Sequence, residues 1–217
     1  MKILAIDSSS MVATVALVTD DILNAEYTIN NKQTHSQTLL PMIEEIARAL
    51  DLDMSTVDAI AIAGGPGSYT GLRIGSATAK GLALALNIPI INVPTIDALA
   101  YNMFSSQYII CPIMDARRNQ VYTGIYRFVG TKMETIKPQC ITMIDDILYE
   151  LDKIGLPVMF VGDGITVQKE HINEVLAVEH HFAPASVNRQ KAASLAALAS
   201  IYYREDRVES AREHCPE

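Results

Sequence analysis

The distribution of apolar residues over the first 30 positions predicts three short strands. Apolar and β-branched residues dominate the segments "KILAID", "MVATVALVT" and "ILNAEYTI", a composition typical of strands. Only the polar connections "DSSS" and "DD" separate them. Because connections this short join antiparallel neighbours, we predict an antiparallel meander of three strands.

From Ser36 the apolar positions follow helical spacing instead. They recur every three or four residues up to Leu50, which predicts an amphipathic helix. Ser36 or Thr34 is expected to cap its start, and Pro41 is tolerated in the first turns. The apolar positions of this helix are Leu39, Leu40, Ile43, Ile46, Ala47 and Leu50, and its opposite face carries Glu44, Glu45 and Arg48.

Strands and helices then alternate up to about residue 93. "DAIAIA" predicts a strand from Asp58, and Thr70 is expected to cap a helix that runs to Leu86. Asn87 is suited to a left-handed helix terminus, and "IPIINV" predicts a further strand. This order after a meander predicts an RNase H-like α/β lobe, with a mixed sheet covered by helices.

The second half of the chain repeats the opening pattern. "YIICPIMDARRNQVYTGIYRF" predicts a strand that ends in Asp115, a short polar turn and a returning strand from Gln120 to Phe128. The first strand ends in the same way, in Asp7. The sequence therefore predicts two lobes built on one plan.

The remaining elements complete a shorter second lobe. We predict a helix near Ile144 to Leu151, the strand "PVMFVG" and a last helix from Asn188 to Tyr203. The predicted division is residues 1–104 for the first RNase H-like lobe and 105–217 for the second. As an alternative, the last helix packs back on the first lobe.

Charge and cysteine content narrow the class of protein. The chain has 217 residues and a formal net charge of −8, which argues against a broad nucleic-acid surface and favours RNA contact only through a partner. Cys111, Cys140 and Cys215 have neither zinc-site nor disulfide-framework spacing. Asp7 interrupts the first apolar run too early for a signal peptide. The expected compartment is the cytoplasm, with no membrane contact.

Asp7, Ser8, Ser9 and Ser10 follow the first strand directly. A carboxylate there can hold hydrated magnesium and hydroxyls can contact phosphate, but the same residue types also dominate ordinary hairpin turns. Placed opposite Asp115 across a cleft between lobes, the group becomes a candidate ligand site. Both interpretations stay open from the residues alone.

The segment "AIAGGPGSYTGLRIG", Ala61 to Gly75, is unusually rich in glycine. It matches neither the P-loop nor the dinucleotide fingerprint, although the following helix N-terminus can attract an anion. Alternatively, the glycines allow that helix to pack closely on its strand and on a neighbour.

A row of small residues follows in "GLRIGSATAKGLALAL". Gly71, Gly75, Ala79 and Ala83 recur at four-residue steps, which lets another helix approach closely. The row fits either a partner interface, together with Leu39, Leu40 and Ile43, or a helix buried within one chain.

Metal and serine-hydrolase chemistry are poorly supported. The five histidines include no pair three or four residues apart, so no helical turn presents two imidazoles to one ion. The Gly-x-Ser-x-Gly elbow is absent around Ser68.

Five ordered motifs carry a family resemblance: "MKILAIDSSS", "HSQTLLPMIEEI", "GGPGSYTGLRIGSATAKGLALAL", "VPTIDALA" and "MDARRNQVY". Together they resemble the TsaB family, also described as YeaZ-like and once grouped with glycoproteases. The resemblance implies two lobes of the actin/Hsp70-type ATPase (ASKHA) superfamily. It also implies a noncatalytic scaffold role in forming N6-threonylcarbamoyladenosine at position 37 of tRNAs that read codons beginning with A.

The same resemblance implies partners. A homologous TsaD-type catalytic subunit, acting with a TsaE-type ATPase, transfers the threonylcarbamoyl group, and the TsaB-like protein dimerises with that subunit or, when alone, with itself. No cofactor is required, and tRNA is contacted indirectly through the complex. The preference between the two dimers stays open.

Residue by residue, the chain departs from the catalytic relatives. Thr95 and Leu99 stand where TsaD-type proteins carry a metal-binding His-x-x-x-His pair, and leucine has no lone pair for a metal. Asp115 is followed by Ala116, Arg117 and Arg118 where the ATPase superfamily has glycines. Independent ATP hydrolysis is therefore not expected.

The resemblance yields two candidate sites. One is a vestigial nucleotide cleft formed by Asp7, Ser8, Ser9, Gly67 and Asp115. The other is a partner interface formed by Leu39, Ile43, Gly71, Gly75, Ala79 and Ala83.

The rival functions are a nucleotide-dependent transferase or phosphotransferase that uses the cleft and, more remotely, a metal-dependent protease. The ending "SAREHCPE" differs from the family's "YLR"-like tail, so contacts made by that tail can differ here.

Overall fold

The computed structural model describes residues 1–31 and 35–215. In chain order the strands are β1 (Lys2–Asp7), β2 (Val12–Thr19), β3 (Ile22–Asn30), β4 (Ala59–Gly65), β5 (Ile90–Pro94), β6 (Ile109–Asp115), β7 (Gln120–Val129), β8 (Lys132–Met143), β9 (Val158–Val161) and β10 (His180–Phe182). The helices are α1 (His35–Ala49), α2 (Tyr69–Leu86), α3 (Thr95–Tyr101), α4 (Ile144–Ile154), α5 (Ile165–Val175) and α6 (Ala192–Arg204), with a 3₁₀ turn at Met54–Thr56.

The first sheet confirms the predicted meander. Its strand order is β3-β2-β1-β4-β5, with β1, β2 and β3 antiparallel and β1, β4 and β5 parallel. Alternate residues of β1 face opposite sides, and Leu4 and Ile6 join the core under α1 and α2. α6 packs against β1 and β2. The end of β1 therefore emerges from a fully covered sheet.

The helix termini differ in part from prediction. Ser68, not Thr70, is the N-cap of α2, and its Oγ accepts a hydrogen bond from Gly71 N–H at 3.3 Å. Thr70 already lies inside the helix. Asn87 ends α2 in the left-handed conformation, with φ 55° and ψ 46°, as predicted. α1 begins at His35, so Ser36 lies within it, and Thr34 lies outside the described residues.

The second sheet repeats the first completely. Its order, β10-β9-β6-β7-β8, has the same two antiparallel and two parallel pairings. The prediction of a shorter lobe missed β8, β10 and α5. β8 contains Pro138 and has no fully buried residue at the sheet edge, where proline is tolerated because one side of the strand needs no ladder hydrogen bonds.

The chain forms two compact units, residues 1–98 with 190–217 and residues 99–189. The units divide at residue 98, where the prediction placed the boundary at residue 104, and α6 belongs to the first unit, which is the alternative named for the last helix. Ala192 N–H donates to Thr14 Oγ1 at 3.3 Å, and Ala193 N–H donates to Glu26 Oε1 at 2.9 Å. Small residues on this face, such as Ala5 and Ala61, are fully buried.

None of the helices in the described ranges combines the length and the apolar character needed to cross a membrane.

Candidate functional site

The polar turn after β1 is internally bonded. Asp7 is 1% exposed, and its Oδ1 accepts hydrogen bonds from Ser9 N–H at 2.8 Å and Ser9 Oγ at 2.6 Å. Ser8 Oγ donates to the Gly71 carbonyl at 2.9 Å, and Ser10 Oγ donates to Gln190 Oε1 at 2.9 Å. The turn is thus tied to the start of α2 and to the segment that precedes α6.

The glycine-rich loop is pressed against this turn. A Cβ on Gly67 would lie 2.3 Å from the Ser9 carbonyl oxygen, and one on Gly71 would lie 2.0 Å from that of Ser8. Ser68 N–H donates to the Ser9 carbonyl at 2.6 Å. The glycines therefore permit contact between two segments of the same chain, which is the packing interpretation that the sequence left open.

Two backbone amides in the first turn of α2 are bonded to Ser68. Gly71 N–H donates to Ser68 Oγ, and Leu72 N–H donates to the Ser68 carbonyl at 2.8 Å. Asp7, Ser8 and Ser9 are buried, and the nucleotide cleft expected at these residues stays a prediction. Within the first unit, the predicted cleft residues form a packing junction.

Burial raises the pKa of the Asp7 carboxyl above its ordinary value of 3.8, although the Ser9 hydrogen bonds and nearby His35 act to lower it. His35 Nε2 donates to the Ser10 carbonyl at 2.7 Å. Since the pKa is higher in the folded protein than in the unfolded chain, ionised Asp7 disfavours folding. Stability is therefore lost as the pH rises through the folded pKa.

Asp7→Asn is accordingly expected to raise the free energy of unfolding at pH 7 by about 1 kcal/mol. The amide oxygen can still accept both Ser9 bonds, and the charge is gone. The gain should shrink as the pH is lowered towards the folded pKa of Asp7. Urea unfolding of both proteins between pH 4 and pH 7 measures this trend.

Asp53→Asn is the matched control. Asp53 Oδ1 accepts the same pair of bonds, from Ser55 N–H at 2.9 Å and Ser55 Oγ at 2.8 Å. Asp53, however, is exposed, and these Ser55 bonds lower its pKa. A stabilisation of equal size in both variants would contradict the role given to burial.

The corresponding turn of the second unit has a different geometry. Asp115 is exposed, and its Oδ1 accepts a hydrogen bond from Arg117 N–H at 2.9 Å. Arg117, Arg118 and Asn119 have φ values of 66°, 54° and 60°, in the left-handed region that favours glycine. Non-glycine residues thus take the backbone conformation of this tight hairpin. Asp7 and Asp115 belong to different units, and a site shared between them stays a prediction.

The six residues of the predicted partner interface are buried within the chain itself. Leu39, Ile43, Ala79 and Ala83 are each at most 5% exposed and belong to the core of the first unit. Gly71 and Gly75 are also buried against the turn after β1, since a Cβ on Gly75 would lie 2.4 Å from Ser8 Oγ. These six residues pack α1 and α2 within their own unit, so the isolated chain does not expose them, and a partner interface at these positions stays a prediction.

The opposite side of α2 carries a second row of small residues. Ala77, Gly81 and Ala85 are exposed and recur at four-residue steps. They lie two positions on from the buried row, about 200° around the helix. With their neighbours they form the α2 outer face, defined as Tyr69, Arg73, Ala77, Lys80, Gly81, Leu84 and Ala85.

The α2 outer face and α1 also expose large apolar side chains. Tyr69 is 65% exposed, Leu84 is 54% exposed, and Leu40 of α1 is 56% exposed. Sequence reasoning missed this face because two rows of small residues share one helix. The available signal was Arg73 and Lys80, since charged side chains mark the side of a helix that faces away from the core.

Catalytic metal ligands are not assembled in the parts of the chain that the structure covers. Those residues contain no group of three or more His, Cys, Asp or Glu side chains able to hold one ion. Thr95 is buried, and its Oγ1 accepts a hydrogen bond from Gly65 N–H at 3.1 Å. Leu99 is 1% exposed. A bonded hydroxyl and a packed leucine therefore occupy the positions matched to the metal-binding histidines.

The duplicated sheets define the class of protein. Two five-stranded mixed sheets of equivalent order, each with flanking helices, are the architecture of the two-lobed ASKHA-type ATPases and kinases. The solved activator of the 2-hydroxyisocaproyl-CoA dehydratase from Clostridium difficile with bound ADPNP shares this fold. Its TM-score is 0.53 at 10% identity, over 95% of this chain and 97% of that one.

Comparisons at higher sequence identity identify the protein family. The model described as "TsaD: tRNA N6-adenosine threonylcarbamoyltransferase" matches residues 23–217. The chain is 37% identical over 198 residues to the tRNA threonylcarbamoyladenosine biosynthesis protein TsaB of Bacillus subtilis, covering 91% of this chain and 86% of that protein.

A solved structure agrees with this match. It is an uncharacterized Pseudomonas aeruginosa protein with similarity to peptidase YEAZ, with a TM-score of 0.85 at 25% identity, covering 100% of this chain and 98% of that one. The chain belongs to the TsaB, or YeaZ-like, family.

Proposed function

We propose that this protein is the noncatalytic scaffold subunit for N6-threonylcarbamoyladenosine formation at position 37 of tRNAs that read codons beginning with A. It acts by dimerising with a TsaD-type catalytic subunit. The observation that carries the proposal is the α2 outer face, which exposes apolar and small residues in a member of the TsaB family.

The buried Asp7 junction supports a noncatalytic role. Asp7 is 1% exposed and bonded to Ser9, and Thr95 and Leu99 occupy positions matched to metal ligands. Catalysis by the chain itself would require accessible groups that meet a substrate. We therefore assign the chemistry to the catalytic partner and require no cofactor in this chain.

The form of the α2 outer face supports dimerisation. Small side chains at Ala77 and Gly81 let a second helix approach closely, and burial of Leu84 and Leu40 would supply apolar contact. The same face serves self-association when the chain is alone. A TsaE-type ATPase joins the cytoplasmic complex, and tRNA is contacted through the assembled subunits, in keeping with the net charge of −8.

A reconstituted reaction tests the proposal. The catalytic subunit, the ATPase and tRNA are combined with no chain, with wild type or with Asp7→Asn, and modified adenosine is measured by mass spectrometry. We expect strong dependence on the chain and a rate with Asp7→Asn within about twofold of wild type, a difference of under about 0.5 kcal/mol in activation free energy.

The rival transferase gives the opposite result with the same variant. If Asp7→Asn still binds the catalytic subunit but modification is lost, the cleft carries chemistry and the scaffold proposal fails. If modification proceeds equally well without the chain, its participation fails altogether.

A further inference from the structure

A groove in the first unit lies between α2 and the segment that follows α6. Its volume is about 540 Å³. Tyr69, Arg73 and Lys80 line one side of it, and His214 and Cys215 line the other. Four of the residues that line the groove, Tyr69, Arg73, Ala77 and Lys80, also belong to the α2 outer face, so the groove and the outer face are continuous.

Neither of the two cations of this groove has an acidic partner in the part of the chain that the structure describes. No carboxylate among the described residues lies within 4.0 Å of either Arg73 or Lys80. The Arg73 guanidinium carbon is 4.0 Å from the centroid of the Tyr69 ring, and Lys80 Nζ donates to the His214 carbonyl at 2.7 Å. In a chain with 25 acidic and 17 basic residues, the groove is a local excess of positive charge.

His214 adds a buried polar atom without a partner. The residue is 0% exposed, and its Nδ1 donates to Glu209 Oε1 at 2.6 Å. Nε2, on the side of the ring away from that bond, is buried and has no hydrogen-bond partner among the described residues. Buried polar atoms in native proteins nearly always have a hydrogen-bond partner. This indicates that a further group bonds to His214 Nε2.

The wall that carries His214 is fixed to the sheet. Glu209 and Ile90 exchange backbone hydrogen bonds, each at 2.9 Å. With Lys80 bonded to the His214 carbonyl, the wall is attached to both β5 and α2. The groove is therefore built by regular backbone pairing and by a side chain of α2.

We propose that this groove receives an acidic side chain of the catalytic partner subunit, an inference that rests on the proposed function. A carboxylate matches Arg73 and Lys80, which have no acidic partner among the described residues, while the apolar Leu72 and Ala77, which also line the groove, accommodate the methylene groups that bear it. Because the groove is continuous with the α2 outer face, one docked partner covers both.

Arg73→Glu tests the inference. Binding to the catalytic subunit is measured by calorimetry at two salt concentrations, with each variant's thermal unfolding recorded. We expect Kd to rise about tenfold or more with Arg73→Glu and to change less than about threefold with Arg73→Lys. Wild-type affinity should fall with added salt, and that dependence should weaken in Arg73→Glu.

Lys132→Glu is the matched control, since it makes the same charge change at an exposed position in the second unit. If wild type binds and the two Glu variants have equal affinity, the groove assignment is overturned while the scaffold proposal stands. A change confined to self-association assigns the groove to a second copy and also overturns the inference. If wild type itself does not bind, the proposed function fails and the inference falls with it.

Discussion

Gly71→Ala is expected to lower the free energy of unfolding by about 3 kcal/mol, while Gly81→Ala on the same helix raises it by about 1 kcal/mol. At Gly71 the new methyl group would lie 2.0 Å from the Ser8 carbonyl oxygen. Because the obstacle is backbone, α2 must move away from the turn after β1, and the Ser8–Gly71 hydrogen bond is lost.

At Gly81 the same methyl group has no neighbour within 4 Å. The substitution therefore adds helix propensity without a clash. Thermal unfolding by circular dichroism should show a midpoint lower by about 10 °C for Gly71→Ala and higher by a few degrees for Gly81→Ala. Shifts in the same direction in both variants would refute the contrast between the two sides of α2.

Leu84→Glu is expected to weaken binding to the catalytic subunit about 100-fold while leaving the fold intact. Leu84 is 54% exposed, so the folded chain alone tolerates a charge there. In the complex the carboxylate would be buried among apolar groups without a partner, which costs several kcal/mol of binding free energy. A 100-fold rise in Kd corresponds to a loss of about 2.7 kcal/mol.

Leu156→Glu provides the matched comparison, because Leu156 is 49% exposed in the second unit. Calorimetric titration should give wild-type affinity for Leu156→Glu and much weaker binding for Leu84→Glu, with equal melting temperatures. Equal affinities for the two variants would remove Leu84 from the interface.

The first sheet was predictable because local signals agreed with the tertiary arrangement. Three successive apolar segments joined by very short polar connections favour an antiparallel meander. Asn87 tolerates the left-handed conformation that ends α2. β8 was missed because Pro138 and its exposed edge position obscure strand periodicity. α6 is apolar on several sides, and nothing in its sequence indicates which sheet it covers.

The candidate sites were less accessible to sequence reasoning. Asp and Ser after a strand are typical of both ligand sites and turns, and only the contact between Gly67 and Ser9 distinguishes them. The small residues of α2 occur in two rows at the same spacing. Choosing the outer row requires knowing which side of the helix faces Ser8 and Ile62, a tertiary fact.

The scaffold role is tested most directly by the rate of tRNA modification as a function of chain concentration, at fixed catalytic subunit, ATPase and tRNA. If the chain acts by binding, Leu84→Glu should reach the wild-type maximal rate, with a half-saturating concentration raised by the same factor of about 100 as its Kd. A lower maximal rate at an unchanged half-saturating concentration would contradict the account, because the α2 outer face would then affect chemistry and not assembly.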